Sequence, residues 1–283
     1  MKKPVRIIPI LDIKNGLLLK GINFEGLRAL GNAKDFASLY FSQGADELCY
    51  QDNVATLYGT KNLTKFISET AKNTFIPLSV GGGIKSLNDA LEMFKAGADK
   101  IIINSAIIDN ILLLKKLSKI FGSANITVII QSVKVDKKYF ISKSHGRDIV
   151  KINPVDWAKK VEDLGAGEII ITSVNNEGLK KGFDIGLTKK IVDSVFLPVI
   201  AHGGAGTVRH IYDVIRYTNV SGVGLASMLH YDAIKFLPKL QYKKSKIGNF
   251  NYLDKVRTLK KRKNTIMEIK NYLKKRGIII RND

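Results

Sequence analysis

Two glycine clusters in this 283-residue chain sit where they could cradle an anion. Gly81-Gly82-Gly83 follows the apolar run Pro77–Val80, and Gly203-Gly204-Ala205-Gly206 follows Pro198–Ala201. Glycine at such a point lets backbone N–H groups close on a phosphate. One strand later each cluster has a polar companion, Asn104-Ser105 after Lys100–Ile103 and Ala226-Ser227 after Gly222–Leu225. Tight turns from strand to helix need glycine for their own reasons, so one copy would carry little weight. Two copies, each with its serine, point to a ligand phosphorylated at both ends.

The two copies belong to a larger duplication. Gly82 and Gly203 lie 121 residues apart, and so do Gly44 and Gly165 in the upstream stretches Gly44-Ala45-Asp46-Glu47 and Gly165-Ala166-Gly167-Glu168. The period is far longer than the roughly 20–50 residues of a solenoid repeat. Each copy is therefore half of one fold.

The elements that must position these residues alternate in type. Short β-rich apolar runs lie at Val5–Leu11, Glu47–Tyr50, Pro77–Val80, Lys100–Ile103, Thr127–Ile130, Glu168–Thr172, Pro198–Ala201 and Gly222–Ala226. Between them Leu87–Ala96, Pro154–Leu164 and Leu187–Ser194 carry apolar residues at helical spacing, with Ser86, Asn153 and Gly186 near their starts and Gly97 and Gly165 after two of their ends. Eight β/α units of about 30 residues predict an α/β fold with a parallel sheet, and the two-fold repeat favours closure into a (β/α)8 barrel. The whole of 1–283 reads as one barrel domain. Residues Leu237–Asn264, polar and Lys-rich, read as an insertion (237–264) before a last helix at Thr265–Arg276.

Composition narrows the class. A hydrophobic content of 45% with 6 Pro suffices for a full core. The single cysteine, Cys49, can form no internal disulfide and no Cys/His ligand spacing occurs, so a reducing, cytoplasmic setting without structural zinc is expected. The start of the chain reads as a first strand, since Pro9 and Asp12 interrupt its apolar stretch, and no run of roughly 18 apolar residues predicts a membrane span. Net charge is +21, and fifteen Lys/Arg against Asp254 and Glu268 between Lys235 and Arg276 supply more than half of it. Such a segment could track nucleic acid or an acidic surface, but a solvated lysine-rich face is the commoner cause. Nucleic acid is not an expected partner.

The motifs Arg6-Ile7-Ile8-Pro9-Ile10-Leu11-Asp12-Ile13-Lys14-Asn15-Gly16, Lys20-Gly21-Ile22-Asn23-Phe24, Val80-Gly81-Gly82-Gly83-Ile84, Gly97-Ala98-Asp99-Lys100, Ile103-Asn104-Ser105-Ala106, Gly165-Ala166-Gly167-Glu168-Ile169 and Gly203-Gly204-Ala205-Gly206 occur in this order. Together they resemble the HisF family, the cyclase subunit of imidazole glycerol phosphate synthase, from about Arg6 to Tyr231 and again in the final helix. The resemblance implies half of a glutamine amidotransferase. A HisH-like glutaminase subunit would dock on the N-terminal face of the barrel, and ammonia would pass through the barrel to a bis-phosphorylated formimino ribonucleotide, giving imidazole glycerol phosphate and an aminoimidazole carboxamide ribotide. It implies an ammonia gate of Arg6, Glu47, Lys100 and Glu168, a docking position at Asp99, a catalytic Asp12 and supporting Lys20 and Asp52. Phosphate-binding positions would be Gly82, Gly83, Asn104, Ser105, Glu177, Gly178, Gly203, Gly204 and Ser227. No cofactor or metal is implied.

Several positions depart from the family pattern. Gln131 stands where the family has its second catalytic aspartate, and an amide hydrogen-bonds without exchanging a proton near neutral pH. His145 and His202 replace serines, Glu177-Gly178-Leu179 replaces Asp-Gly-Thr, and Asn175 replaces Asp. A histidine titrating near neutrality could take over proton transfer. The departures also fit a cyclase-like paralogue that keeps the glutaminase and ammonia but serves another acceptor, through a sugar amidotransferase acting on surface polysaccharide. A non-catalytic polyanion-binding module would leave the gate and the paired glycines without a purpose.

Overall fold

The computed structural model describes residues 3–52, 61–237 and 264–281. Twelve strands alternate with helices: β1 (Arg6–Lys14), β2 (Leu17–Ile22), β3 (Glu25–Asn32), β4 (Leu48–Asp52), β5 (Leu78–Gly81), β6 (Lys100–Ile103), β7 (Ile126–Val135), β8 (Lys138–Lys143), β9 (Asp148–Val150), β10 (Glu168–Ser173), β11 (Val199–His202) and β12 (Gly222–Leu225). Eight of these are parallel neighbours in the order β10, β11, β12, β1, β4, β5, β6, β7, and a further pairing of β7 with β10 closes the ring. The chain is a (β/α)8 barrel, as the alternation of elements predicts. The duplication is visible in the elements themselves: helix Ala33–Ser42 recurs 121 residues on as Pro154–Asp163, and β2 recurs as β8.

Local signals explain the boundaries. Ser86 caps Leu87–Ala96 by accepting from the Asp89 amide, and Gly97 ends that helix in the left-handed region at φ 110°. Asn153 caps Pro154–Asp163, whose proline occupies the first turn. Thr265 and Glu268 form a capping box at the start of Ile266–Lys274. That last helix is tied to the starts of β1 and β4: its Lys270 is buried against Asp46 at 2.8 Å, and Asp46 accepts the Ile7 amide at 2.7 Å.

Two expectations need correction. The helix read as starting near Gly186 begins at Ile185 and is capped by Asp184, whose carboxylate accepts the Leu187 amide at 2.9 Å. The strands β2, β3, β8 and β9 were not among the eight predicted; they form antiparallel excursions at the C-terminal ends of β1 and β7. Of the 237–264 insertion, residues 238–263 lie outside the described residues.

Alternation along each strand divides the interior. On β1, Ile7, Leu11 and Ile13 join the large core between sheet and helices, whereas Ile8 and Ile10 join Cys49, Ile102, Ile129, Ile170 and Ile200 in a separate apolar cluster that fills the barrel lumen. Arg6 and Asp12, in phase with Ile8 and Ile10, lie below and above that cluster. No helix among the described residues is long and apolar enough to cross a membrane.

Candidate active site

Each glycine pair has the same left-handed signature: φ is 112° and 69° at Gly82 and Gly83, and 90° and 105° at Gly203 and Gly204. A Cβ at Gly82 would lie 2.5 Å from the Asp52 carbonyl oxygen, and one at Gly203 would lie 2.8 Å from that of Ser173. Side chains are therefore excluded by contact as well as by φ, and the backbone stays bare at both strand ends. Ser105 and Ser227 begin the short helices Ser105–Asp109 and Ser227–Ala233 next to these turns.

The first glycine site opens into a cavity of about 170 Å³ whose walls include Asp52, Gly82, Gly83, Asn104, Ser105 and Gln131. Lys85 and Arg147, which the sequence reading passed over, add cationic walls to it. His145 lines the same cavity from a turn with φ 59°, its ring 6.0 Å from that of Phe24. Ser105 accepts the Ser144 amide at 3.2 Å, so this loop is tied to the glycine site.

A buried chain of charges runs across the barrel mouth. Lys20 reaches back from β2, its Nζ 3.5 Å from Asp12 Oδ2 and in direct ion-pair contact with Glu177. His202 Nε2 lies 3.7 Å from the other Glu177 oxygen, and its Nδ1 is 3.1 Å from the Thr172 hydroxyl. Burial alone would lower the Lys20 pKa, but Glu177 and Asp12 outweigh it and raise the value. Burial would raise Glu177, yet the Lys20 charge holds it below the usual carboxylate range. For His202 burial wins over the attraction of Glu177, and its pKa is lowered, which leaves the imidazole neutral at pH 7. The Glu177 side chain thus faces Lys20 and His202, while its amide donates to the Val174 carbonyl at 3.2 Å and its carbonyl accepts the Asn23 amide at 2.9 Å, so Glu177 is taken up by contacts within the protein.

Gln131 ends the inward-facing row of β7, in register with Thr172 of β10. Among the described residues, Gln131 Oε1, His202 Nε2 and Ser227 Oγ are buried without a hydrogen-bond partner. Buried polar atoms are rarely left so, and these three surround the barrel mouth. Asn175, by contrast, has a structural partner outside the mouth: its Oδ1 accepts the Lys134 amide at 2.7 Å. A residue missed from sequence is His230, fully buried, whose Nε2 meets the Ile10 carbonyl at 2.9 Å and whose Nδ1 meets the Tyr40 hydroxyl at 2.7 Å. Nothing in the spacing around His230 marks it, because its partners come from two distant elements.

At the opposite end four charges form a ring. Arg6 Nη1 lies 2.7 Å from Glu47, Arg6 Nη2 contacts Glu168, and Lys100 Nζ is 3.1 Å from each of the two carboxylates. Ser79 and Thr127 also donate to Glu47 and Glu168. The ring stands directly beneath the apolar lumen, and its carboxylates are buried while Arg6 and Lys100 are only 18% exposed. Asp99 is exposed on the same face, and its carboxylate accepts the Leu78 amide at 2.8 Å.

The sequence model of the histidine biosynthesis protein family matches residues 6–235, which spans the barrel strands and both glycine sites. The chain belongs to the histidine biosynthesis protein family. Relatives within this family named imidazole glycerol phosphate synthase subunit HisF include one from Legionella pneumophila, 45% identical over 71% of this chain and 96% of its own length. Another, from Petrotoga mobilis, is 42% identical over 80% of this chain and 90% of the relative. A third, from Saccharolobus solfataricus, is 41% identical over 81% and 92%. The histidine biosynthesis family resemblance therefore extends across the fold and both ends of the barrel.

Proposed function

We propose that this chain is the ammonia-using cyclase subunit of an imidazole glycerol phosphate synthase, a single barrel domain spanning 1–283 with an insertion at 237–264, working with a HisH-like glutaminase subunit. The observation that carries the reading is the layering of the lumen: a four-charge gate at the strand starts, an apolar layer, then Asp12, Lys20 and two glycine cradles at the strand ends. Ammonia released at the gate face would cross as a neutral molecule and meet a substrate held by its two phosphates. Gly82, Gly83, Asn104 and Ser105 would take one phosphate, and Gly178, Gly203, Gly204 and Ser227 the other, with Glu177 holding that turn to Lys20. Asp12 would accept and return protons during ring closure, with the Lys20 charge beside it and Asp52 in the wall. Asp99 would contact the glutaminase.

A second reading is favoured by one observation. At the mouth β7 presents the amide oxygen of Gln131, buried and unpartnered, where cyclisation would call for a group that exchanges protons. A paralogue delivering ammonia to another acceptor, such as a sugar carried by a separate amidotransferase, needs no carboxylate there. The deciding experiment supplies the purified protein with ammonium salt and the bis-phosphorylated formimino ribonucleotide. Formation of imidazole glycerol phosphate supports the cyclase; none from a well-folded protein that still activates a glutaminase favours the second reading.

A further inference from the structure

The gate face carries a pair of features that the ring of charges does not explain. Phe75 and Phe196 occupy equivalent positions in the two halves, each two residues before the proline that leads into a strand. Their side chains are 83% and 102% exposed. Isolated exposed apolar residues are ordinary, but these two are related by the internal repeat and flank the same opening.

Both are held in place without being buried. The Phe196 and Leu197 amides donate to one Glu162 carboxylate oxygen at 2.7 and 3.1 Å, and the Phe75 ring is braced edge-on by Phe41 with centroids 6.1 Å apart. Beside Phe75 is a recess of about 380 Å³ walled by Thr74, Ile76, Pro77 and Asp99. Beside Phe196 is one of about 580 Å³ walled by Lys3, Val195, Leu197, Arg216 and Ile279. An aromatic ring on a fixed backbone, next to a recess, costs little ordering when a partner covers it, which is how interface anchors work.

Two equal anchors would let a partner dock in either of two orientations. Charge removes that ambiguity: Asp99 stands in the Phe75 recess, whereas its repeat equivalent is Val220 and the Phe196 recess carries Lys3 and Arg216 instead.

We propose that Phe75 and Phe196 are twin anchors for the ammonia-supplying partner, which covers each with an apolar recess and is oriented by a basic group opposite Asp99 and an acidic group opposite Lys3 and Arg216. The proposal rests on the ammonia-channel reading and adds the residues and polarity that seat the partner. The test is calorimetric titration of the full-length chain with its cognate glutaminase. Phe75→Ala and Phe196→Ala should each weaken binding about tenfold or more, with melting temperatures little changed because neither ring is buried and Phe75 has only its edge contact with Phe41. Asp99→Lys and Arg216→Glu should each weaken it as well. Wild-type binding that both alanine variants match within about twofold would overturn the anchors and leave the channel reading standing. No wild-type complex would overturn both. Alanine variants that lose self-association in ultracentrifugation but keep full partner affinity would assign this face to a second copy of the chain, and charge variants without effect would overturn the orientation.

Discussion

In the proposed cyclase Gln131 would present an amide where ring closure calls for proton exchange, and its neighbours offer a limited remedy. A lost acid/base group typically costs about 10²–10⁴-fold in rate, so ammonium-driven turnover by the wild-type chain is expected to be slow, Gln131→Asp to raise it by about 10²-fold, and Asp12→Asn to abolish it. Fast wild-type turnover, insensitive to Gln131→Asp, would show that His202 or His145 moves the second proton. His230 makes a separate prediction about stability. Burial, with the Lys20 charge, pushes its pKa down to about 3, against about 6.5 in an unfolded chain. Between those values the unfolded state binds the extra proton, so stability is fully present above pH 6.5 and is lost as pH falls, by up to about 1.4 kcal/mol per pH unit. Thermal melts at pH 7.5 and 5.0 should show this loss, and His230→Gln should flatten it; an equal slope in the variant would refute the assignment. The identity of Gln131, His202 and Glu177 as departures is legible in sequence because each replaces a motif residue. Their contacts are not, because Lys20, Glu177 and His202 meet only after three distant strand ends converge.

In the proposed reading the strand ends carry the ligand chemistry, and the two glycine turns are its most demanding parts. Gly203→Ala would place a Cβ against the Ser173 carbonyl in a left-handed conformation, a strain of about 1–3 kcal/mol, and Gly82→Ala would do the same against Asp52. Each variant should lose affinity for a bis-phosphorylated ligand more than tenfold while keeping its circular dichroism spectrum. Crystals soaked in inorganic phosphate should show an anion at both turns; two empty turns with the Gly82 and Gly203 amides facing away would count against a bis-phosphate ligand. At this scale the sequence was readable wherever period and punctuation agreed, as at Ser86, Leu87–Ala96 and Gly97. It was not readable for β2, β3, β8 and β9: β3, β8 and β9 are partly exposed and lack the continuous apolar run of a buried parallel strand, and the short apolar run of β2 is cut by Lys20 and Gly21. Asp184 was overlooked as a cap because Gly186, two residues on, resembles a break.

The whole barrel separates two environments, and the gate is the test of whether they communicate. Lys100→Met would leave Glu47 and Glu168 with Arg6 as the remaining cation of the ring, and removing one partner of such a buried network costs about 3–5 kcal/mol. In the assembled complex, glutamine-driven turnover should fall and free ammonium should appear in bulk solution, while ammonium-driven turnover should stay within about twofold of wild type. Equal losses in both assays would mean that the ring is only structural. The apolar cluster above the gate has its own consequence. Ile8, Ile10, Cys49, Ile102, Ile129, Ile170 and Ile200 amount to a disc of hydrocarbon closing the lumen, and stripping water from an ion to cross such a disc costs at least several kcal/mol. In the ammonia-channel reading the disc would act as a filter of protonation state: ammonium would have to leave its proton at the ring of charges to cross as neutral ammonia, and could take one up again only at the mouth.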